Sequence, residues 1–201
     1  MTPFFQLLQQ RVSAYGFSDS HITESELQYL ITAACHAPSA YHLQNWHFTA
    51  VCSEKAKQAL YHAAFCQLKI MQAATVIVIS GKLTGYQDLS EKLRDSVQAG
   101  IIDDETAQSW IASAHATFHN NPQARRDEAI RSASLAAMPL MLAAQEKGWA
   151  SCPMSGFDVE AVRQTAGLSE NLLPVLLVAI GKAADSKQKQ KIRSRPELIV
   201  I

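Results

Sequence analysis

Charges crowd one stretch of this chain and then vanish from it. Arg125, Arg126, Asp127, Glu128 and Arg131 are followed, between Ser132 and Ala144, by residues apolar on every helical face, among them Ala133, Leu135, Met138, Leu140 and Leu142. A helix apolar all round is expected to be buried on all sides. Asn120 and Asn121 suit its cap and Pro122 its first turn. From Arg126 to Lys147 it would run about 33 Å. Pro139 removes a backbone hydrogen bond and crowds the carbonyl of Leu135, so a kink is expected there. Gly148 supplies the C′ residue that ends the helix. Trp149 to Asp158 then reads as a small-residue loop leading to a further helix capped by Asp158.

The same periodicities parse the remainder. Phe4, Phe5, Leu7 and Leu8 have helical spacing, and Thr23-x-x-Glu26 is a capping box opening a helix to about His36, stopped by Pro38. After a loop from Ser39 to Asn45, Trp46–Cys52 reads as a strand. Ser53 caps a helix to about Ala64, and a short helix follows over Gln67–Ala73. Thr75–Ser80 and Pro174–Ile180 are continuous apolar runs, the mark of strands buried on both faces. Leu89–Ala99 and Asp104–His119 read as helices. Leu198–Ile201 closes the chain as a strand that either returns to its own sheet or reaches a partner subunit. About four strands separated by helices imply an α+β or α/β arrangement.

Composition narrows the class. The 201 residues suit one domain with a substantial core. Lys+Arg 18 against Asp+Glu 18 leaves no net charge, so nothing favours nucleic acid or an anionic membrane surface. Cys35, Cys52, Cys66 and Cys152 show no C-x-x-C spacing and read as free thiols in a reducing cytoplasm. No signal peptide and no bilayer-length apolar run is expected.

Candidate chemistry is sparse. Neither G-x-G-x-x-G nor a P-loop occurs, and Gly81-x-x-x-Gly85 is too open to serve. His115 and His119 share a helical face but lack a third ligand, which favours a solvated face over a metal site. Arg11 and Ser13 end the first helix, while Arg193 and Arg195 precede the terminal strand. Guanidinium forks with a hydroxyl match phosphate oxygens. Taken singly, each is more often an ordinary surface charge, and sequence distance alone does not bring residue 11 to residue 195.

Five segments in order resemble the FMN-dependent nitroreductase family almost from end to end. Gln10-Arg11-Val12-Ser13 is similar to its opening Arg-x-Ser motif, and Ala37–Phe48 to its Ala-Pro-Ser-Ser-x-Asn-x-Gln-Pro-Trp-x-Phe segment. Cys152–Asp158 resembles its Pro-x-Glu-Gly-Phe-Asp loop, Pro174–Gly181 a family strand, and Arg193-Ser194-Arg195 its basic C-terminal motif. The resemblance implies an α+β three-layer α/β/α sandwich with a mixed, mainly antiparallel sheet. It implies a homodimer exchanging C-terminal strands, with residues 1–201 as one FMN-binding domain, 82–120 as a variable helical lid and 184–201 as an arm.

The same resemblance places Arg11, Ser13, Arg193 and Arg195 around the FMN phosphate and ribityl chain. Pro38, Ser39 and Gln44 would line the flavin, and Lys69 would sit near its pyrimidine edge. Pro153 and Met154 would pack on one ring face, and the backbone N–H groups of Ser155 and Gly156 would face N5 and O4. Tyr15 stands where the family usually has Lys or Arg, His42 replaces Asn, Asn45 replaces Pro, Cys66 replaces a frequent Asn, and Ser155 replaces Glu. The implied activity is ping-pong hydride transfer from NAD(P)H through tightly bound FMN to a nitroaromatic, quinone or similar acceptor. Alternatives are a specialised dehalogenation or dehydrogenation on the same fold, or a non-catalytic flavin sensor or store.

Overall fold

Local signals become elements wherever the chain supplies its own caps. The computed structural model describes residues 1–185 and 188–200. Helices α1 (Pro3–Gln10), α2 (Glu24–Ala34), α3 (Glu54–Ala63), α4 (Lys69–Gln72), α5 (Leu89–Gln98), α6 (Asp104–Phe118), α7 (Pro122–Glu146) and α8 (Val159–Thr165) surround a sheet. Its strands are β1 (Phe17–Ser18), β2 (Trp46–Val51), β3 (Thr75–Lys82), β4 (Ala150–Met154) and β5 (Leu172–Ala183). Both halves of the Thr23/Glu26 capping box form: Glu26 N–H donates to Thr23 Oγ1 at 3.3 Å, and Thr23 N–H donates to Glu26 Oε2 at 2.9 Å. Ser53 and Asn121 cap α3 and α7 by accepting from Ala56 N–H and Ala124 N–H at 3.3 and 3.0 Å.

The five-stranded sheet is built on β5, which pairs antiparallel with β3 over most of its length. β2 continues the sheet beyond β3, β4 pairs Ala150–Met154 with Gly181–Leu177, and β1 adds two residues at the end of β5. All these pairs are antiparallel; an isolated parallel bridge joins Ser13 to Ser151. Because successive strand residues face opposite sides, Ile77, Ile79, Val178 and Ile180 pack with α2 and α7. Val76, Val78, Leu177 and Ala179 pack with Leu60 of α3, Ile70 of α4 and Val162 of α8. This is the expected α/β/α layering. Helices α5 and α6 close a separate apolar cluster through Leu89, Leu93, Ala107, Ala114 and Phe118, joined by Leu43 and Tyr86. No helix among the described residues is long and apolar enough to cross a membrane.

Three expectations change. Residues 150–154 form a strand, not a loop, because β5 offers them a free edge. The long helix, which includes Pro139, is not buried all round. Its sheet-facing side, including Ala133, Ala137 and Leu140, is buried, but Leu135 is 42% and Met138 36% exposed. Finally, residues 198–200 form no strand with their own sheet, and Leu198, Ile199 and Val200 are exposed. Ile201 lies outside the described residues.

Gly81 shows why α7 can lie so close to the sheet. A Cβ added there would stand 2.4 Å from the Ala129 carbonyl oxygen. Gly81→Ala is expected to push helix and strand apart at a cost of about 2–3 kcal/mol. That corresponds to a fall in Tm of roughly 4–12 °C for a chain of this size. Differential scanning calorimetry checks it, and an unchanged Tm would mean the helix shifts freely.

Candidate functional site

The first candidate residue sits where α1 ends. Arg11 is the C-cap of that helix: its N–H still bonds Leu7 O at 3.0 Å, but its backbone is extended. The chain then runs alongside β4, with Ala14 N–H donating to Ser151 O at 3.0 Å. This geometry drives the Arg11 side chain inward, to 9% exposure, and its Nη1 has no hydrogen-bond partner among the described residues. The Ser151 Oγ on the adjacent strand is also buried and unpartnered. Burial pushes the guanidinium pKa below its usual value, Arg193 adds to the shift, and Cys152 opposes it. A buried charge without a partner is among the costliest arrangements in a protein interior. An anionic ligand relieves it.

The surroundings suit such a ligand. A cavity of about 160 Å³ is lined by Arg11, Ser13, Tyr15, Lys189, Lys191 and Arg193, with Gln188 and Gln190 in its wall. No carboxylate among the described residues lines it. Arg11 and Arg193, separated by most of the chain, therefore meet within one protomer. Arg195 is exposed and lies outside the lining residues. Lys189 and Lys191 were not singled out from the sequence; their signal was the Lys- and Gln-rich composition of the arm. They supply positive charge to the pocket that Tyr15 does not.

A second group gathers at the C-terminal end of β4. Pro153 is tolerated in this strand because a residue without an N–H fits an edge position. It is half-buried, whereas the Met154 side chain is 5% exposed and packs into the core beneath. Ser155 and Gly156 follow, both exposed. Gln67 Nε2 donates to Gly156 O at 2.8 Å, and Asp158 N–H donates to Ala63 O at 2.9 Å. These bonds draw the α3–α4 turn against the loop after β4. Phe65 and Cys66 in that turn have φ of 54° and 59°, a left-handed pair that is uncommon for residues with side chains. Lys69 opens α4 just beyond. Cys66, Lys69, Ser155 and Gly156 thus belong to one corner of the molecule.

Pro38, Ser39 and Gln44 lie elsewhere. Ser39 Oγ accepts from Gln44 N–H at 2.9 Å, and Gln44 Nε2 lies 2.7 Å from His42 Nε2. Tyr41, His42 and Gln44 all have positive φ, so the loop is tightly wound. Lys92 of α5 donates to the carbonyls of Leu43 and Gly85, fastening the loop to the 82–120 segment. Burial, then the charge of Lys82, lowers the Lys92 pKa, with Asp88 and Glu91 opposing. A cavity of about 450 Å³ is lined by Pro38, Ser39, Tyr41, His42, Ile102 and Trp110, among others. It shares no residue with the Arg11 cavity. Within one chain, then, the structure assembles the anion pocket and the β4 corner but does not bring Pro38, Ser39 and Gln44 to the Arg11 pocket. His115 on α6 and His119 just past its end are exposed, with their rings stacked 4.3 Å apart.

Fold and pocket define an α+β protein whose N-terminal segment and C-terminal arm frame a cationic cavity around a buried arginine. A model of the Nitroreductase family matches residues 8–182. Two proteins of Bacillus subtilis (strain 168), both provisionally named NAD(P)H nitroreductases, are similar along most of their lengths. MhqN is 32% identical over 198 residues, covering 98% of this chain and 96% of its own. YodC is 35% identical over 184 residues, covering 91% of each. A solved structure of a provisionally named nitroreductase of Exiguobacterium sibiricum 255-15, in complex with FMN, superposes with a TM-score of 0.87 at 25% identity, covering 97% of this chain and 94% of that one. The chain belongs to the nitroreductase family, a family of oxidoreductases.

Proposed function

We propose that this protein is a homodimeric FMN-dependent oxidoreductase that reduces nitroaromatics, quinones or similar acceptors at the expense of NAD(P)H. The observation that carries the reading is the buried Arg11 Nη1, without a partner among the described residues, in a pocket lined by three further cations. Such a donor set fits the terminal phosphate of FMN. The FMN complex of the similar Exiguobacterium protein supports the assignment.

Each residue group then has a task. Arg11, Ser13 and Arg193 hold the phosphate, with Arg195 in reserve at the ribityl side. Lys69 presents a cation to the pyrimidine edge, where negative charge develops on reduction. Ser155 and Gly156 offer backbone N–H groups, and Pro153 a flat apolar surface, to the ring. Pro38, Ser39 and Gln44 come from the partner subunit and cover the opposite side, which explains their separation within one chain. The 82–120 segment is a lid on a single 1–201 FMN-binding domain, and 184–201 is an arm whose apolar end docks on the partner. When bound, FMN supplies the two-electron chemistry, hydride taken from NAD(P)H and passed to the acceptor. Donor and acceptor use one opening in turn, so no separate dinucleotide motif is needed. Four free cysteines suit work in a reducing cytoplasm.

The test is a visible spectrum of the purified protein, followed by anaerobic NADPH and then menadione or nitrofurazone. Flavin bands that bleach with NADPH and return with the acceptor are expected. Absence of flavin after incubation with FMN would overturn the reading. Bands unmoved by NADPH and NADH would reduce it to flavin binding without turnover.

A further inference from the structure

We propose that Gln188 and Gln190 are positioning residues that build the anion pocket by clamping the arm to the N-terminal segment, and that arm docking and phosphate binding are coupled. The inference rests on the reading of the Arg11 pocket as the cofactor's phosphate site. The Gln188 side chain behaves like a neighbouring strand: its Oε1 accepts from Tyr15 N–H at 3.2 Å, and its Nε2 donates to Ser13 O at 2.5 Å. Between those two residues, Ala14 N–H is turned the other way, toward Ser151 O. Segment 13–15 is therefore held on one side by β4 and on the other by the arm. Gln190 Nε2 donates to both Leu8 O and Arg11 O, each at 3.0 Å. These carbonyls lie at the C-terminal end of α1, where the helix leaves acceptors unpaired.

The two amides thus fix the backbone that carries Arg11 and Ser13, and at the same time set Lys189, Lys191 and Arg193 around it. Docking brings three cations of the arm up to a fourth that is already buried, with no carboxylate among the described residues of the wall to compensate. Mutual repulsion opposes that arrangement, and the clamp's neutral hydrogen bonds offset it only in part. A phosphate dianion removes the repulsion. Whatever the docked arm adds to phosphate affinity, the phosphate must by linkage return to arm docking. A flavin without phosphate has no such effect.

The experiment uses the full-length protein, stripped of flavin, and the variants Gln188→Leu, Gln190→Leu and their double. Dissociation constants for FMN and for riboflavin are measured by flavin fluorescence. Trypsin cleavage after Lys189, Lys191 and Arg193 is timed with FMN, riboflavin, millimolar inorganic phosphate, or nothing added. The double variant is expected to bind FMN roughly tenfold or more weakly, with riboflavin affinity within about twofold of the unaltered protein. In the unaltered chain, FMN and phosphate should slow arm cleavage while riboflavin does not, and the double variant should lose this protection. Equal losses for FMN and riboflavin would overturn the clamp in favour of a general structural role. Arm cleavage indifferent to both FMN and phosphate would overturn the coupling, and needs no variant to fold. Equal affinity of the unaltered protein for FMN and riboflavin would instead remove the phosphate site itself.

Discussion

Arg11→Met is expected to weaken the proposed FMN binding by about 30- to 700-fold and to raise the Tm of the flavin-free protein. Both halves follow from one fact: the guanidinium is buried and Nη1 has no partner among the described residues. With ligand present, losing a desolvated charge-assisted contact to phosphate costs about 2–4 kcal/mol, which is the stated range of affinity. Without ligand, the same guanidinium has been taken from water for nothing in return. A methionine of comparable length fills the space and removes that penalty, as replacement of uncompensated buried charge by apolar groups does elsewhere. Riboflavin affinity should stay put, since the change concerns the phosphate end alone. Fluorescence titration and a thermal melt check the two halves. An unchanged FMN dissociation constant would take Arg11 out of the site.

The second large effect is on assembly. Leu135→Lys with Met138→Lys should convert the proposed dimer into a monomer, with dimer affinity reduced at least about a thousandfold, or about 4 kcal/mol. Leu135 and Met138 lie one helical turn apart on the face of α7 turned away from the sheet, and the partly exposed Leu142 continues the stripe. α1 lies against α7 and adds Phe4 and Phe5, both more than half exposed. The proposed dimer interface uses these exposed apolar side chains. Across a two-fold axis the same patch meets itself, so each lysine is introduced twice. Sedimentation equilibrium reads the result, and flavin affinity should fall with it, because the proposed site takes Pro38, Ser39 and Gln44 from a partner. A double variant that stays dimeric at micromolar concentration would place the interface elsewhere.

The departures at Tyr15 and Ser155 also look different in three dimensions. Tyr15 leaves a cationic position without charge, yet Lys189 and Lys191 line the same pocket. Ser155 follows the end of β4 with its side chain exposed, so a contact through its N–H does not depend on the side chain.

What the chain alone determined is what its neighbours in sequence can enforce. Thr23 with Glu26, Ser53 and Asp158 cap helices because donor and acceptor lie three residues apart, and all three form as expected. Thr75–Ser80 and Pro174–Ile180 are strands because β-branched runs have no better place than a sheet covered on both faces. The order of motifs was enough to name the family. Tertiary structure decided the rest, because the partners are far apart along the chain. Residues 150–154 carry no strand alternation and contain a proline; they extend because the free edge of β5 pairs with them. The long helix looked apolar all round, and only its docking on the sheet shows which stripe is left over for a partner. Arg11 and Arg193 were known as separate charges. That they share one pocket, held by two glutamines no motif contained, depends on hydrogen bonds spanning more than 170 residues, and no local pattern encodes such a contact.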